Sequence, residues 1–130
     1  MFFAFHFSYV FMNVGGNDIN TDCSVEEIVA RLIRIVQRLK RNGVQRVFVA
    51  SIVERGSFPK FTGLTSDQFN KIRKSVNAKL KIHFGEDYVN VEKKLKYPKH
   101  YNKDLVHPGF NEGGMKVLNC LIKASFMKTL

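Results

Sequence analysis

The chain has 130 residues, which is enough for one compact domain with a hydrophobic core but not comfortably for two. Its 45% hydrophobic content fits a globular rather than a disordered chain, and its two cysteines are too few for a disulfide framework. The cysteines show no zinc-ligand spacing with histidine. They favour a reducing, cytoplasmic setting, with a single disulfide between Cys23 and Cys120 as the alternative. The net charge of +10 favours anionic partners, although lysine-rich exposed helix faces on a soluble domain would also produce it.

The first twelve residues are apolar, but they do not have the pattern of a targeting segment. They lack a basic start and a small-residue cleavage site, which argues against a signal peptide. The apolar run is also too short to span a bilayer before Asn13, so no transmembrane segment is expected. Residues 8–14 are rich in aromatic and β-branched side chains and predict a buried strand that Gly15 and Gly16 stop. No role is assigned to residues 1–7.

The next segment predicts an amphipathic helix followed by a second strand. Ser24 and Glu27 have the spacing of a capping box, and Gly43 is a plausible stop. Between them, apolar residues recur at helical spacing, with arginines mostly on the opposite side. Residues 44–53 form a continuous β-branched run that predicts a strand buried on both faces. Residues 54–63 contain glycine and proline and predict a loop.

The remainder repeats this alternation. A helix is predicted from the capping-box pair Thr65 and Gln68 to Gly85, followed by a short strand at 88–91. A polar, lysine-rich loop then leads to a last helix from about residue 112 to 127. Strands that alternate with helices predict an α/β fold with a parallel sheet, right-handed crossovers and helices on both faces. Ligands of such sheets bind beyond the carboxyl ends of the strands.

Two polar motifs are predicted to lie along that carboxyl edge. In the first, residues 15–18, the Asn17 amide could donate to a developing oxyanion, and the glycines allow a sharp turn. In the second, residues 104–107, Asp104 precedes His107 by three residues. A carboxylate at that separation can accept from one imidazole nitrogen and leave the other free as a base. Each motif alone is also common in ordinary turns.

In this order and on this topology, the chain resembles the SGNH (GDSL-type) hydrolase superfamily. The third block of that family, Gly-x-Asn-Asp, matches Gly15–Gly16–Asn17–Asp18, and its last block, Asp-x-x-His, matches residues 104–107. The segment after the histidine is similar to the family's entry into a final helix, with Asn111 and Gly114 in place. The resemblance covers about residues 9–126.

The resemblance implies a three-layer flavodoxin-like domain that hydrolyses small ester or acyl substrates without a cofactor or metal. Asn17 would be an oxyanion-hole donor, His107 the general base, and Asp104 the residue that orients the imidazole. Gly15, Gly16 and Asp18 would support the turn.

The chain departs from the family in its nucleophile. The family's Gly-Asp-Ser turn and its second-block glycine do not occur in the sequence. Ser8 lies within the predicted first strand, Ser24 has the position of a helix cap, and Ser51 and Ser57 do not lie in the family's turn. Cys23 is a weak candidate thiol nucleophile, supported only by its proximity to Asn17.

We therefore expect residues 1–130 to be a single partial domain, truncated at its amino end and nearly inactive on esters. The truncation would expose the edge of the strand at 8–14, which could pair with a second copy in a homodimer.

The competing hypothesis is a non-catalytic, basic binding module for nucleic acid or another anionic partner. SGNH-like domains also occur in the first reading frame of some retrotransposons, so a transposon origin would fit this hypothesis. The binding-module hypothesis is supported by the basic residues on the two longer predicted helices and in the lysine-rich loop: Arg31, Arg34, Arg38, Lys40, Arg41, Lys71, Arg73, Lys74, Lys79, Lys81 and the lysines of 93–103.

Overall fold

A computed structural model describes residues 2–6, 8–14, 16–20, 22–54, 63–101 and 110–128. Four strands and three α-helices lie within these ranges. The strands are β1 (Phe2–His6), β2 (Tyr9–Asn13), β3 (Arg46–Ala50) and β4 (Tyr88–Val89). The helices are α1 (Val25–Arg41), α2 (Ser66–Phe84) and α3 (Glu112–Met127), and short 3₁₀ turns lie at Gly16–Asp18, Gly85–Asp87 and Val91–Lys93.

The four strands form one sheet in the order β1-β2-β3-β4. Strands β2, β3 and β4 are parallel neighbours, which confirms the α/β class and the predicted alternation of strands with helices. The sheet is not wholly parallel, because β1 pairs with β2 in the antiparallel direction.

Strand β1 corrects the prediction for the amino-terminal segment. The sequence predicts no role for residues 1–7 and an exposed edge for the strand at 8–14, but Phe2 pairs with Asn13 and His6 with Tyr9. The apolar strand β2 would otherwise leave a row of backbone N–H and C=O groups unpaired, and the adjacent hairpin strand satisfies them. The prediction that β2 is the open edge is therefore wrong.

The helix boundaries follow the caps that the sequence predicts. At the start of α1, Ser24 Oγ accepts a hydrogen bond from the Glu27 amide at 3.1 Å. At the start of α2, Thr65 and Gln68 form both bonds of the capping box. Gly43 follows the end of α1 with a φ of 99°, a left-handed conformation that glycine adopts without strain.

The hydrophobic core is divided between the two faces of the sheet. One cluster joins alternate residues of β2 and β3, including Val10 and Val47, to the apolar stripes of α1 and α2. The other joins Phe11 and Phe48, which point to the opposite face, to α3 through residues such as Leu118. Strand β3 is therefore buried on both faces, as its unbroken apolar run predicts. None of the described helices combines the length and apolar character needed to cross a membrane.

Candidate active site at the carboxyl edge of the sheet

The corner that follows β2 is a 3₁₀ turn at Gly16–Asp18 on the carboxyl edge of the sheet. The fully buried Ile19 anchors it, and a Cβ at Gly16 would lie 3.7 Å from Cγ2 of Ile52, so the corner is packed against the chain that leaves β3. Asp18 Oδ1 lies 3.8 Å from Nη1 of Arg31 in α1 and forms an ion pair with it. Asn17 lies in this turn by its backbone; its side chain and Gly15 fall outside the described part of the structure.

Side chains of α2 hold the chain beyond β3 in place. The Ile52 amide donates to Asn77 Oδ1 at 2.8 Å, and Asn77 Nδ2 donates back to the Ile52 carbonyl at 2.9 Å. Arg73 Nη1 donates to the same carbonyl at 3.2 Å. Ile52 lies beyond the last residue of β3, where none of the described strands pairs with its amide and carbonyl. The side chains of Asn77 and Arg73 provide these hydrogen bonds instead, and they hold the main chain of Ile52 beside the Gly16 corner.

Arg73 is the centre of a buried polar network. Only 1% of the residue is exposed, and its Nε donates to Asn70 Oδ1 at 3.0 Å. Its Nη1 also forms an ion pair with Glu92, and its Nη2 lies 3.8 Å from Glu54 Oε1. Burial lowers the pKa of Arg73, and the charge of Glu54 opposes that shift. The carboxylates and the Ile52 carbonyl thus compensate a guanidinium that is removed from water.

A cavity of about 270 Å³ opens beside this network, between the end of β3, α2 and the segment that follows β4. It is lined by Val53, Glu54, Arg73, Lys74, Glu92, Leu95, Lys96, Tyr97 and Tyr101. Tyr101 is buried and meets the ring of Tyr97 edge to face, with ring centroids 5.0 Å apart. Burial, reinforced by the charge of Glu54, raises the pKa of Tyr101 well above its ordinary range, so its phenol is neutral at pH 7.

Tyr101 is also the last described residue before the second predicted motif, residues 104–107. Residues 102–109, with Asp104 and His107, lie outside the described residues, but their two ends are held together by an antiparallel bridge between Tyr101 and Phe110. The Asn111 amide donates to the His100 carbonyl at 3.0 Å and strengthens this junction. Tyr101 and Phe110, which flank residues 102–109 in the sequence, are therefore paired, and Tyr101 lines the cavity.

Asn111 and Gly114 connect this junction to α3. Asn111 caps the helix by accepting from the Gly114 amide at 2.8 Å, while its Nδ2 donates to the Lys99 carbonyl at 2.8 Å. A Cβ at Gly114 would overlap the carbonyl oxygen of His100 and lie 3.0 Å from Cβ of Phe110. Close backbone approach thus explains why glycine fits this position.

The described serine and cysteine candidates each have a structural contact. Ser8 lies in the turn before β2 rather than inside the strand, and its carbonyl accepts from the Gln45 amide at 2.8 Å at the opposite, amino edge. Ser51 is buried, and its Oγ accepts from the Val91 amide at 2.9 Å. Cys23 Sγ accepts from Arg31 Nη1 at 3.4 Å. Ser57 falls outside the described residues, and within the described part no group of three potential metal ligands occurs.

The roles of Arg73 and Asn77 were not predicted from the sequence, and the prediction that Arg73 belongs to the cationic surface is wrong because the residue is buried. The missed signal is their spacing in α2. Arg73 lies four residues after the buried Phe69 and seven before the buried Leu80, and Asn77 lies three residues before Leu80. A polar residue inside an apolar helical stripe indicates either a break in the stripe or a buried polar contact.

Comparisons with protein-family models, curated proteins and solved structures find no match for this chain.

Proposed function

We propose that the chain forms part of an SGNH-type ester hydrolase domain, in which Asn17, Asp104 and His107 act at the carboxyl edge of the sheet. The finer fold assignment, a three-layer flavodoxin-like domain, belongs to the same proposal. Its support is the pair of hydrophobic clusters on opposite sides of three neighbouring parallel strands.

The observation that supports the proposal is that the Gly16 corner and Tyr101, which precedes the second motif in the sequence, lie at one edge of the sheet. The Gly16 corner packs against Ile52, and Val53 and Glu54, directly after Ile52, line the same cavity as Tyr101. Asp104 and His107 follow Tyr101 by three and six residues in the sequence. Ligand sites in parallel sheets form where loops from neighbouring strands meet in this way.

The proposed chemistry follows from the types of residue. His107 takes a proton from a water molecule as its oxygen attacks the ester carbonyl, and Asp104 orients the imidazole. The Asn17 amide donates to the oxyanion of the tetrahedral intermediate. When the intermediate collapses, His107 returns the proton to the leaving alcohol. Direct attack by water lacks the covalent step that a serine provides, so turnover by these 130 residues is small.

Hydrolysis of p-nitrophenyl acetate by the purified chain tests this proposal. We expect a slow rate above that of buffer, and no labelling by a fluorophosphonate probe, which requires an activated serine. His107→Ala should lower the catalysed excess about 100-fold, the usual contribution of a positioned base. Asn17→Ala should lower it by a similar factor, because removing one oxyanion donor costs about 100-fold or more.

His83→Ala is the matched control, since His83 is an exposed histidine in the last turn of α2. It should leave the rate unchanged. Equal rates for the His107 and His83 variants, with circular dichroism showing both folded, would contradict the proposed function.

A further inference from the structure

The outer face of α1 carries a row of arginines that the fold leaves exposed. Arg34, Arg38 and Arg41 follow at intervals of four and three residues, which places them on one side of the helix. The opposite side packs against the sheet through residues that include Leu32 and Val36. We call Arg34, Arg38 and Arg41 the α1 arginine stripe.

Two cations near the stripe have acidic partners, whereas the stripe has none among the described residues. Arg31, one turn before Arg34, pairs with Asp18, and Lys79 of α2 lies 4.0 Å from Glu26. Across the described ranges of the chain, Arg34, Arg38 and Arg41 form no ion pair. The acidic residues of α1, Glu26 and Glu27, lie in its first turn, so the carboxyl half of the helix has an uncompensated positive face.

The stripe lies away from the candidate active site. Helix α1 begins after the carboxyl end of β2 and ends before the amino end of β3. Just beyond it, the Gln45 amide bonds to the carbonyl of Ser8, which precedes β2. The arginines therefore lie toward the amino edge of the sheet, and a partner bound there leaves the carboxyl edge open.

We propose that the α1 arginine stripe binds the phosphate backbone of a nucleic acid. Arginine forms bidentate hydrogen bonds with phosphate. The stripe extends about 10 Å along the helix, enough for about three phosphates of one strand. The favourable effect of cations on the helix dipole is confined to the last turn, which includes Arg38 and Arg41 but not Arg34.

A membrane surface is the weaker match for this face. Helices that bind in the plane of a bilayer insert an apolar face between the lipids. The apolar face of α1 is occupied by the core, where Ile28 and Leu32 are almost fully buried. Only the charge of the stripe remains for a partner, and duplex DNA presents one negative charge per about 1.7 Å of its axis.

Salt-dependent binding to a fluorescein-labelled 20-base-pair DNA duplex, followed by fluorescence anisotropy, tests the proposal. The triple variant R34Q/R38Q/R41Q keeps residues of similar helix propensity and removes the three charges. If each arginine neutralises one phosphate, the slope of log K against log salt should fall by about 2.7. From 50 to 200 mM salt, the unchanged chain should therefore lose about 40-fold more affinity than the variant.

The matched control removes the same charge elsewhere. Lys71, Lys81 and Lys123 are exposed lysines of α2 and α3, and K71Q/K81Q/K123Q should keep most of the salt slope. Equal losses in the two triple variants, or no binding by the unchanged chain at 50 mM salt, would overturn the proposal. Tighter stripe-dependent binding to phosphatidylserine vesicles than to the duplex would assign the surface to lipid instead.

The same variants distinguish DNA binding by the arginine stripe from ester hydrolysis at the candidate active site. R34Q/R38Q/R41Q should hydrolyse p-nitrophenyl acetate at the rate of the unchanged chain, because its substitutions lie on the outer face of α1. Loss of DNA binding with unchanged hydrolysis would therefore bear on the arginine stripe alone.

Discussion

Arg73 and Arg38 are both arginines of amphipathic helices, but they have opposite environments. Arg73 of α2 is 1% exposed and contacts Ile52, Asn70 and Glu92, whereas Arg38 of α1 is exposed. One arginine fixes the main chain beside the candidate site, and the other adds charge to an open surface. The comparison shows that a positive residue in a helix gains its role from what the helix packs against.

The largest expected effect comes from removing the charge of the buried Arg73. Arg73→Met should lower the free energy of unfolding by about 3 kcal/mol, the lower end of the cost of removing one partner from a buried ion pair. The lower end applies because the Glu92 side chain left behind is 34% exposed. Urea unfolding measures the change.

Arg38→Met is the matched variant, with the same side-chain change at an exposed helical position. It should change the free energy of unfolding by less than about 0.5 kcal/mol. Similar losses for the two variants would show that the buried network around Arg73 does not stabilise the fold.

Gly114 at the start of α3 lies against His100, and this close contact can be tested by substitution. Gly114→Ala should destabilise the protein by about 1–3 kcal/mol, because the new methyl group overlaps the His100 carbonyl. In Gly113→Ala, the neighbouring change, the new methyl group meets Asn111 Oδ1 at 3.4 Å and Cδ2 of His100 at 3.8 Å, both ordinary contacts. This variant should be neutral or stabilised by up to about 1 kcal/mol. Thermal unfolding of the two variants distinguishes the effect of close packing from that of helix propensity. If Gly114→Ala were as stable as the unchanged chain, the close contact between Gly114 and His100 would be contradicted.

The smallest effect concerns pH at the cavity. Burial raises the pKa values of Tyr88 and Tyr101, so above about pH 10 the unfolded chain loses these protons before the folded chain does. The stability they contribute is complete below that pH and falls above it, by up to about 1.4 kcal/mol per tyrosine and pH unit.

Tyr101→Phe should therefore reduce the loss of stability between pH 9 and pH 11, as measured by urea unfolding at each pH. Tyr97→Phe, at a residue that is 44% exposed, controls for removal of a neighbouring hydroxyl. If the Tyr101→Phe protein lost stability between pH 9 and pH 11 as steeply as the unchanged chain, a group other than Tyr101 would be responsible for the loss.

Local sequence patterns were sufficient for most of the fold. The caps at Ser24 and Thr65, the stop at Gly43 and the apolar run of β3 all depend on residues close together in the chain, and the structure confirms each of them. The position of the Gly16 corner on the carboxyl edge also followed, because parallel strands joined by helices bring their carboxyl ends together. The roles of Asn17, Asp104 and His107 stay predictions.

The sequence by itself determined the α/β class, the order of its strands and helices, and the large positive charge, since periodicity and composition are local properties. Tertiary structure alone decided that β1 covers the edge of β2, that Arg73 is buried, and that Gly114 meets His100. These features depend on contacts between segments distant in the chain. Their energies arise from pairing, desolvation and close packing, which no single segment specifies.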